Sequence, residues 1–180
     1  MTTLIIGGSK SGKSGLAEKL IGEFDIRKIY IATMKPYGSE SAAIIERHRK
    51  QREGKGFETI ECYTDIGEAA LSENGLNCVQ TAVLLECIGN LCANEMFDGQ
   101  ENEPVRASDK IIEGVRLLSE RAKELVVVSV SVGSDGIDYP EGTAAYIEEI
   151  GRINSGIAAF ADNVIECVYG IPVVIKSSEQ

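Results

Sequence analysis

Apolar and polar positions along the chain fall into two alternating kinds of segment. Short apolar runs, typical of buried strands, are each followed by a stretch whose apolar residues recur at helical spacing. In the first half, the strand and helix pairs are "LII" with "GKSGLAEKLIG", "KIYIAT" with "SESAAIIERHRKQR", and "AVLLE" with "CIGNLCANEMF". This alternation predicts an α/β fold.

The second half continues the pattern after a polar, loop-like segment, "DGQENEPVRAS". A helix is predicted in "DKIIEGVRLLSERAKE", a central strand in "LVVVSVSV", and a second helix in "TAAYIEEIGRINSGIAAFA". "NVIECVYG" and "PVVIK" then read as a C-terminal antiparallel hairpin closed by a Gly-Ile-Pro turn. The near-continuous apolar runs predict a mostly parallel sheet with helices on both faces.

Length and charge narrow the class of protein. We expect one domain over residues 1–180, since this length supports a single core. The formal net charge of −10 repels polyanions, which argues against generic nucleic-acid binding. The sequence contains neither an apolar run long enough to span a membrane nor a signal-peptide pattern at its start, so we predict a cytoplasmic protein.

The octet "GGSKSGKS" joins the first predicted strand to the first helix and fits the phosphate-loop pattern G-x-x-x-x-G-K-[ST]. Its backbone N–H groups and the helix N-terminus favour a bound anion. We expect Lys13 to contact the β and γ phosphates of a nucleotide, and the Ser14 hydroxyl to hold Mg²⁺. The predicted phosphate-binding residues are Gly7, Gly8, Ser9, Lys10, Ser11, Gly12, Lys13 and Ser14. The alternative is an ordinary strand-to-helix turn.

Glu86 ends the apolar run "AVLLE", where many phosphate-loop proteins place a carboxylate at the end of a neighbouring strand. We therefore predict that Glu86 is the second Mg²⁺ ligand, together with Ser14. The alternative is a solvent-facing residue at a strand end.

A basic segment, "ERHRKQREGK", contains the chain's single histidine, His48. On a helix, His48 shares a face with Ile44 and Arg52, so a cation would lie beside the imidazole and could hold a phosphate. Imidazole is a nucleophile that can form a phosphoramidate and divide one transfer into two steps. The alternative is a solvated basic helix with an incidental histidine.

Several segments together resemble one family, the adenosylcobinamide kinase / adenosylcobinamide-phosphate guanylyltransferases. They are "GGSKSGKS", "IIERHRKQR", "LLECIGNLCANEMF", "GRIN" and "GIPVVIK", in the family's order over about residues 3 to 176. The resemblance implies a RecA-like P-loop NTPase fold in a homotrimer. It also implies two reactions: phosphorylation of adenosylcobinamide by a nucleoside triphosphate, and transfer of GMP from GTP to the resulting phosphate through a GMP-histidine. ATP and GTP are thus the expected substrates and Mg²⁺ the expected cofactor.

The resemblance also assigns roles by position. His48 matches the guanylylated histidine and, with Lys13, is the expected catalytic residue. The further positions that match nucleotide contacts are Thr33, Met34, Lys35, Arg49, Lys50, Gln51, Arg52, Glu61 and Glu86.

Two regions depart from the family pattern. Val130 and Ser131 replace an Asn-Glu pair, and Ala144, Ile147 and Glu148 replace an Arg and an Arg-Asp pair. The loss of one of the two activities therefore stays open. Two alternatives also remain: a small-molecule kinase without a covalent intermediate, and a nucleotide-binding module without catalysis.

Overall fold

The computed structural model describes residues 1–71, 80–98, 106–133 and 135–178. In this part of the chain, a seven-stranded sheet has the order β3-β2-β4-β5-β1-β6-β7. Neighbouring strands from β3 through to β6 pair in parallel, and only β7 runs antiparallel, against β6. The strands are β1 (Thr2–Ile6), β2 (Arg27–Ala32), β3 (Phe57–Glu61), β4 (Thr81–Glu86), β5 (Glu124–Val128), β6 (Asn163–Val168) and β7 (Ile171–Lys176).

Helices connect the parallel strands. They are α1 (Lys13–Gly22), α2 (Gly38–Arg52), α3 (Ile66–Leu71), α4 (Ile88–Phe97), α5 (Ser108–Arg121) and α6 (Glu141–Phe160). In the described part of the chain, no helix has both the length and the apolar character needed to cross a membrane.

The core lies on both faces of the sheet because successive strand residues point to opposite sides. Leu4 packs in the layer covered by α3 to α6, whereas Ile5 packs in the layer covered by α1. Ala17 and Ile21 supply the apolar contacts of α1 and are fully buried. The predicted α/β fold, with its mostly parallel sheet, flanking helices and C-terminal hairpin, is confirmed.

Two details of the sequence interpretation were wrong. The central strand was predicted over residues 125–132, but β5 ends at Val128. Beyond β5 the chain runs beside the phosphate loop, where the N–H of Ser131 donates a hydrogen bond of 3.1 Å to the carbonyl oxygen of Gly7. The hairpin turn is Tyr169-Gly170, with positive φ at both residues as type I′ turns require, rather than Gly-Ile-Pro. Pro172 lies in β7, in agreement with the predicted strand "PVVIK"; β7 is an edge strand, where the missing N–H of proline is tolerated.

Two elements, β3 and α3, were not predicted. The β3 sequence "FETIE" is an edge strand with three exposed residues, so it lacks the apolar run of a buried strand. The predicted polar loop at 98–108 lies largely outside the described residues; α5 begins at its last residue, Ser108.

Candidate nucleotide-binding cleft

A cleft of about 880 Å³ opens where the carboxyl ends of the parallel strands meet. This edge of an open α/β sheet is the usual place for ligands. The phosphate loop follows β1, Glu86 ends β4, and β5 lies between these two strands. Among the residues that line the cleft are Ser9, Lys10, Lys13, Ser14, Met34, His48, Arg49, Arg52, Glu61 and Glu86.

The phosphate loop takes its tight path through two glycines. Gly12 has φ +96°, a left-handed conformation that glycine adopts without strain. A Cβ on Gly7 would stand 2.5 Å from the carbonyl oxygen of Cys167, so the loop packs directly on the end of β6. This path brings the backbone to the start of α1 at Lys13, where a helix N-terminus favours anions.

Lys13 points back along its own loop, and its Nζ donates to the carbonyl oxygen of Gly8 at 2.6 Å. Burial lowers the pKa of Lys13, while Cys87, Cys167 and Glu86 act in the opposite direction. The ammonium group lies against the cleft, within the loop that the sequence predicts to hold phosphates.

Ser14 and Glu86 are in direct contact. The Ser14 hydroxyl donates to Oε1 of Glu86, and the Tyr30 hydroxyl donates to Oε2 at 3.1 Å. Burial and the neighbouring Glu86 raise the pKa of Tyr30, which keeps its hydroxyl a donor. A hydroxyl and a carboxylate are the oxygen ligands that Mg²⁺ takes in proteins, so these residues fit such an ion together with substrate phosphates.

Helix α2 forms the opposite wall. Its residues Ile44, His48 and Arg52 line the cleft, as their spacing of four predicts. Nδ1 of His48 lies 3.9 Å from Oε1 of Glu86. Within the described structure, Nδ1 of His48 and both Nε and Nη1 of Arg52 are buried without a hydrogen-bond partner. Buried donors and acceptors rarely remain unpaired, so these atoms point to a polar ligand.

Other predicted residues have different surroundings. Arg49 pairs with Glu61 at 2.9 Å on the rim of the cleft. Thr33 is fully buried, and its hydroxyl bonds the backbone of Cys87 instead of facing the cleft. Lys35 pairs with Asp98 beside a neighbouring pocket.

The remaining residues that were predicted to bind the nucleotide are not among those that line the cleft. Lys50 pairs with Glu46, and with Gln51 it lines a shallow depression on the other side of α2. Gly7, Gly8, Ser11 and Gly12 form the backbone of the phosphate loop. The nucleotide-binding role of all these residues stays a prediction.

Sequence reasoning missed Tyr30 and Asn90, which both line the cleft. Tyr30 lies two residues before the end of β2, on the strand that pairs with β4, so the pairing with Glu86 depends on strand order. Asn90 lies one turn into α4, and its amide donates to Sγ of Cys87 at 3.3 Å. Tyr30 belongs to no local motif that could have identified it, whereas Asn90 lies within the segment "LLECIGNLCANEMF" that resembles the family.

The two regions that depart from the family pattern each contribute a residue to the same pocket. Ser131 and Ile147 both line a pocket of about 330 Å³ beside the cleft, and Ser131 also lines the cleft itself. Gly133 permits this approach, since a Cβ there would collide with the side chain of Ile147. Glu148, in contrast, is exposed and pairs with Arg152.

Comparisons with known proteins identify the family of this chain. The model of a family described as cobinamide kinase / cobinamide phosphate guanyltransferase matches residues 3–175. The bifunctional adenosylcobalamin biosynthesis protein CobU of Salmonella typhimurium is 34% identical over 186 residues, covering 98% of this chain and 100% of that protein. The Escherichia coli CobU is 33% identical with the same coverage, and the Pseudomonas aeruginosa CobP is 27% identical over 98% of both chains. With a match of this extent, the chain belongs to the cobinamide kinase / cobinamide phosphate guanyltransferase family.

Proposed function

We propose that this protein is a bifunctional enzyme that phosphorylates adenosylcobinamide and then transfers GMP from GTP to adenosylcobinamide phosphate. The observation that carries the proposal is the meeting of the phosphate loop, Glu86 and His48 in one cleft. The names of the relatives, bifunctional adenosylcobalamin biosynthesis proteins, support the same pair of reactions.

In the kinase step, the loop holds the phosphates of ATP or GTP through its backbone N–H groups and Lys13. Ser14 and Glu86 would together hold Mg²⁺, which would supply neutralisation of the phosphate charge. The acceptor hydroxyl attacks the γ phosphorus, the bond from that phosphorus to the β-phosphate oxygen breaks, the nucleoside diphosphate leaves, and the hydroxyl proton is lost to solvent. The protein's contribution is positioning and charge neutralisation.

In the transferase step, the unprotonated nitrogen of His48 attacks the α phosphorus of GTP. A nitrogen–phosphorus bond forms, the bond to pyrophosphate breaks, and the proton on the other ring nitrogen is lost to solvent. An oxygen of adenosylcobinamide phosphate then attacks the same phosphorus, the nitrogen–phosphorus bond breaks, and the released ring nitrogen takes a proton from solvent, which restores the neutral imidazole. Arg49 and Arg52 neutralise the oxygens of the bound nucleotide.

The nucleotide is expected to extend beyond the cleft into a second pocket of about 590 Å³, which shares Met34, Ile44 and Asn90 with it. Lys35 also lines that pocket, consistent with its predicted contact to the nucleotide. Thr33 would act indirectly, by bonding the backbone of Cys87 at the cleft. Lys50 and Gln51 would reach a nucleotide only if their side chains turned around α2.

The proposal also includes a single domain over residues 1–180, a cytoplasmic location and a homotrimer. The homotrimer is supported by β7, whose apolar side chains Ile171, Val174 and Ile175 are exposed on an edge strand. A further copy of the chain could cover them.

Covalent labelling tests the transferase step. Incubation with Mg²⁺ and GTP labelled at the α phosphate is expected to give acid-labile, alkali-stable label on His48. His48→Ala should abolish it, and Glu46→Gln, a change on the solvent side of α2, should retain it. Label that persists in His48→Ala, or no label on a protein that binds GTP, would exclude the GMP-histidine.

A second candidate, a small-molecule kinase without the covalent step, is favoured by the altered pocket at Ser131 and Ile147. Such an enzyme would transfer the γ phosphate to adenosylcobinamide and take up no α label. Assays with adenosylcobinamide and with its phosphate, run separately, distinguish the two. Tight GTP binding without turnover of either acceptor would indicate the non-catalytic module.

A further inference from the structure

Tyr30 contacts two groups on different elements of the cleft, Glu86 at the end of β4 and Arg52 on α2. We propose that Tyr30 is a positioning residue that sets the orientation of Glu86 with its hydroxyl and of Arg52 with its ring. This inference rests on the proposed nucleotide-binding function of the cleft.

The hydroxyl fixes the carboxylate. Tyr30 donates to Oε2 of Glu86 at 3.1 Å, and this leaves Oε1 as the oxygen that contacts Ser14 and lies 3.9 Å from Nδ1 of His48. A carboxylate held at one oxygen cannot rotate freely about its last bond. Together with Ser14, Tyr30 therefore fixes the plane in which the carboxylate faces the cleft.

The ring supports the guanidinium. Cζ of Arg52 lies 3.3 Å above the centroid of the Tyr30 ring, a cation–π contact with the flat face. Nε and Nη1 of Arg52 have no hydrogen-bond partner in the described structure, although Arg52 is only 7% exposed and lines the cleft. The ring thus holds two unpaired donors at the cleft, where the oxygens of a phosphate could accept from them.

The ring itself has little freedom. Tyr30 is 4% exposed and belongs to β2, between β3 and β4, and its ring makes a T-shaped contact with the ring of Phe57, with centroids 6.4 Å apart. A side chain held this way is suited to positioning others. One rigid residue therefore links the candidate metal ligand to an arginine of the histidine-bearing helix.

Two substitutions separate the contributions of the hydroxyl and the ring. Tyr30→Phe removes the bond to Glu86 and keeps the surface under Arg52, whereas Tyr30→Leu removes both. GTP binding is measured by calorimetry in EDTA and again in Mg²⁺. For Tyr30→Phe we expect wild-type affinity in EDTA and about a tenfold smaller gain in affinity from Mg²⁺, because a hydrogen bond to a charged group is lost. For Tyr30→Leu we expect in addition a loss of roughly fivefold in EDTA, because Arg52 loses its support.

Ile21→Val is the control for a general loss of stability. Ile21 belongs to the same part of the core as Tyr30 but lies at the far end of α1, so both affinities should stay at the wild-type value. A wild-type gain from Mg²⁺ in Tyr30→Phe would overturn the role of the hydroxyl, and equal affinities of Tyr30→Leu and Tyr30→Phe in EDTA would overturn that of the ring. Failure of the wild-type protein to bind GTP would instead overturn the proposed function, and this inference with it.

Discussion

At the scale of residues, the position of Gly7 in the phosphate loop leaves no room for a Cβ atom. A Cβ at this position would stand 2.5 Å from the carbonyl oxygen of Cys167 and 2.8 Å from Oγ of Ser11. The first of these neighbours is backbone in β6 and cannot move aside cheaply. The same contact joins the loop to the C-terminal hairpin, where the N–H of Gly170 donates to the carbonyl oxygen of Ser11 at 2.8 Å.

Gly7→Ala is therefore expected to displace the loop and to weaken GTP binding about tenfold or more, since the N–H groups must converge on one anion. Calorimetry with GTP checks this. Gly22→Ala is the matched control, because a Cβ at the end of α1 meets nothing within 4 Å. Unchanged GTP affinity in Gly7→Ala would show that the loop is not held by its packing on β6.

Several residues of the cleft could be predicted because they belong to local patterns. The loop residues lie in one octet, and Glu86 ends a visible apolar run. Tyr30 could not be predicted, since its contact with Glu86 depends on β2 pairing with β4, 56 positions further along the chain. The short distance from His48 to Glu86 likewise depends on how α2 crosses the sheet edge, which no local pattern encodes.

At the scale of elements, α3 and α5 approach so closely that glycine is required between them. A Cβ on Gly114 would collide with the side chain of Ile66 and would stand 2.9 Å from the backbone nitrogen of Gly67. Gly67 lies in α3, which the apolar pattern did not predict. The α5 prediction succeeded because its apolar face, including Ile111, repeats at helical spacing.

Gly114→Ala should destabilise the fold by about 1–3 kcal/mol, the usual cost of overpacking a tight contact. Gly151→Ala, within α6 where a Cβ meets nothing within 4 Å, should instead stabilise it by about 0.5–1 kcal/mol through helix propensity. Urea unfolding of both variants measures the difference. Equal stabilities would mean that α3 and α5 are further apart than described.

At the scale of the whole molecule, the cleft is lined mainly by cations although the chain has a negative net charge. The chain carries −10 at pH 7, yet the cleft is lined by Lys10, Lys13, Arg47, Arg49 and Arg52 against the two carboxylates Glu61 and Glu86. The overall negative field disfavours extended polyanions, whereas the local cations favour a compact polyphosphate. Composition predicted the first effect, and the basic segment around His48 predicted the second; the structure places the arginines of that segment along the cleft.

The edge strand β7 is the surface through which we expect copies of the chain to assemble. Ile171, Val174 and Ile175 are each more than 60% exposed, and β7 is an edge strand with one unpaired side. Exposed apolar edges are normally covered or interrupted by charge, and β7 has only Lys176 at its end.

If further copies of the chain cover this edge in a homotrimer, sedimentation of the wild-type protein should give about three times the chain mass of 19.4 kDa. Ile175→Lys should give the mass of the single chain, because a buried unpaired charge opposes association. Ile137→Lys, at a 63% exposed loop position away from the sheet, should leave the assembly intact. A trimer that persists in Ile175→Lys would place the interface elsewhere.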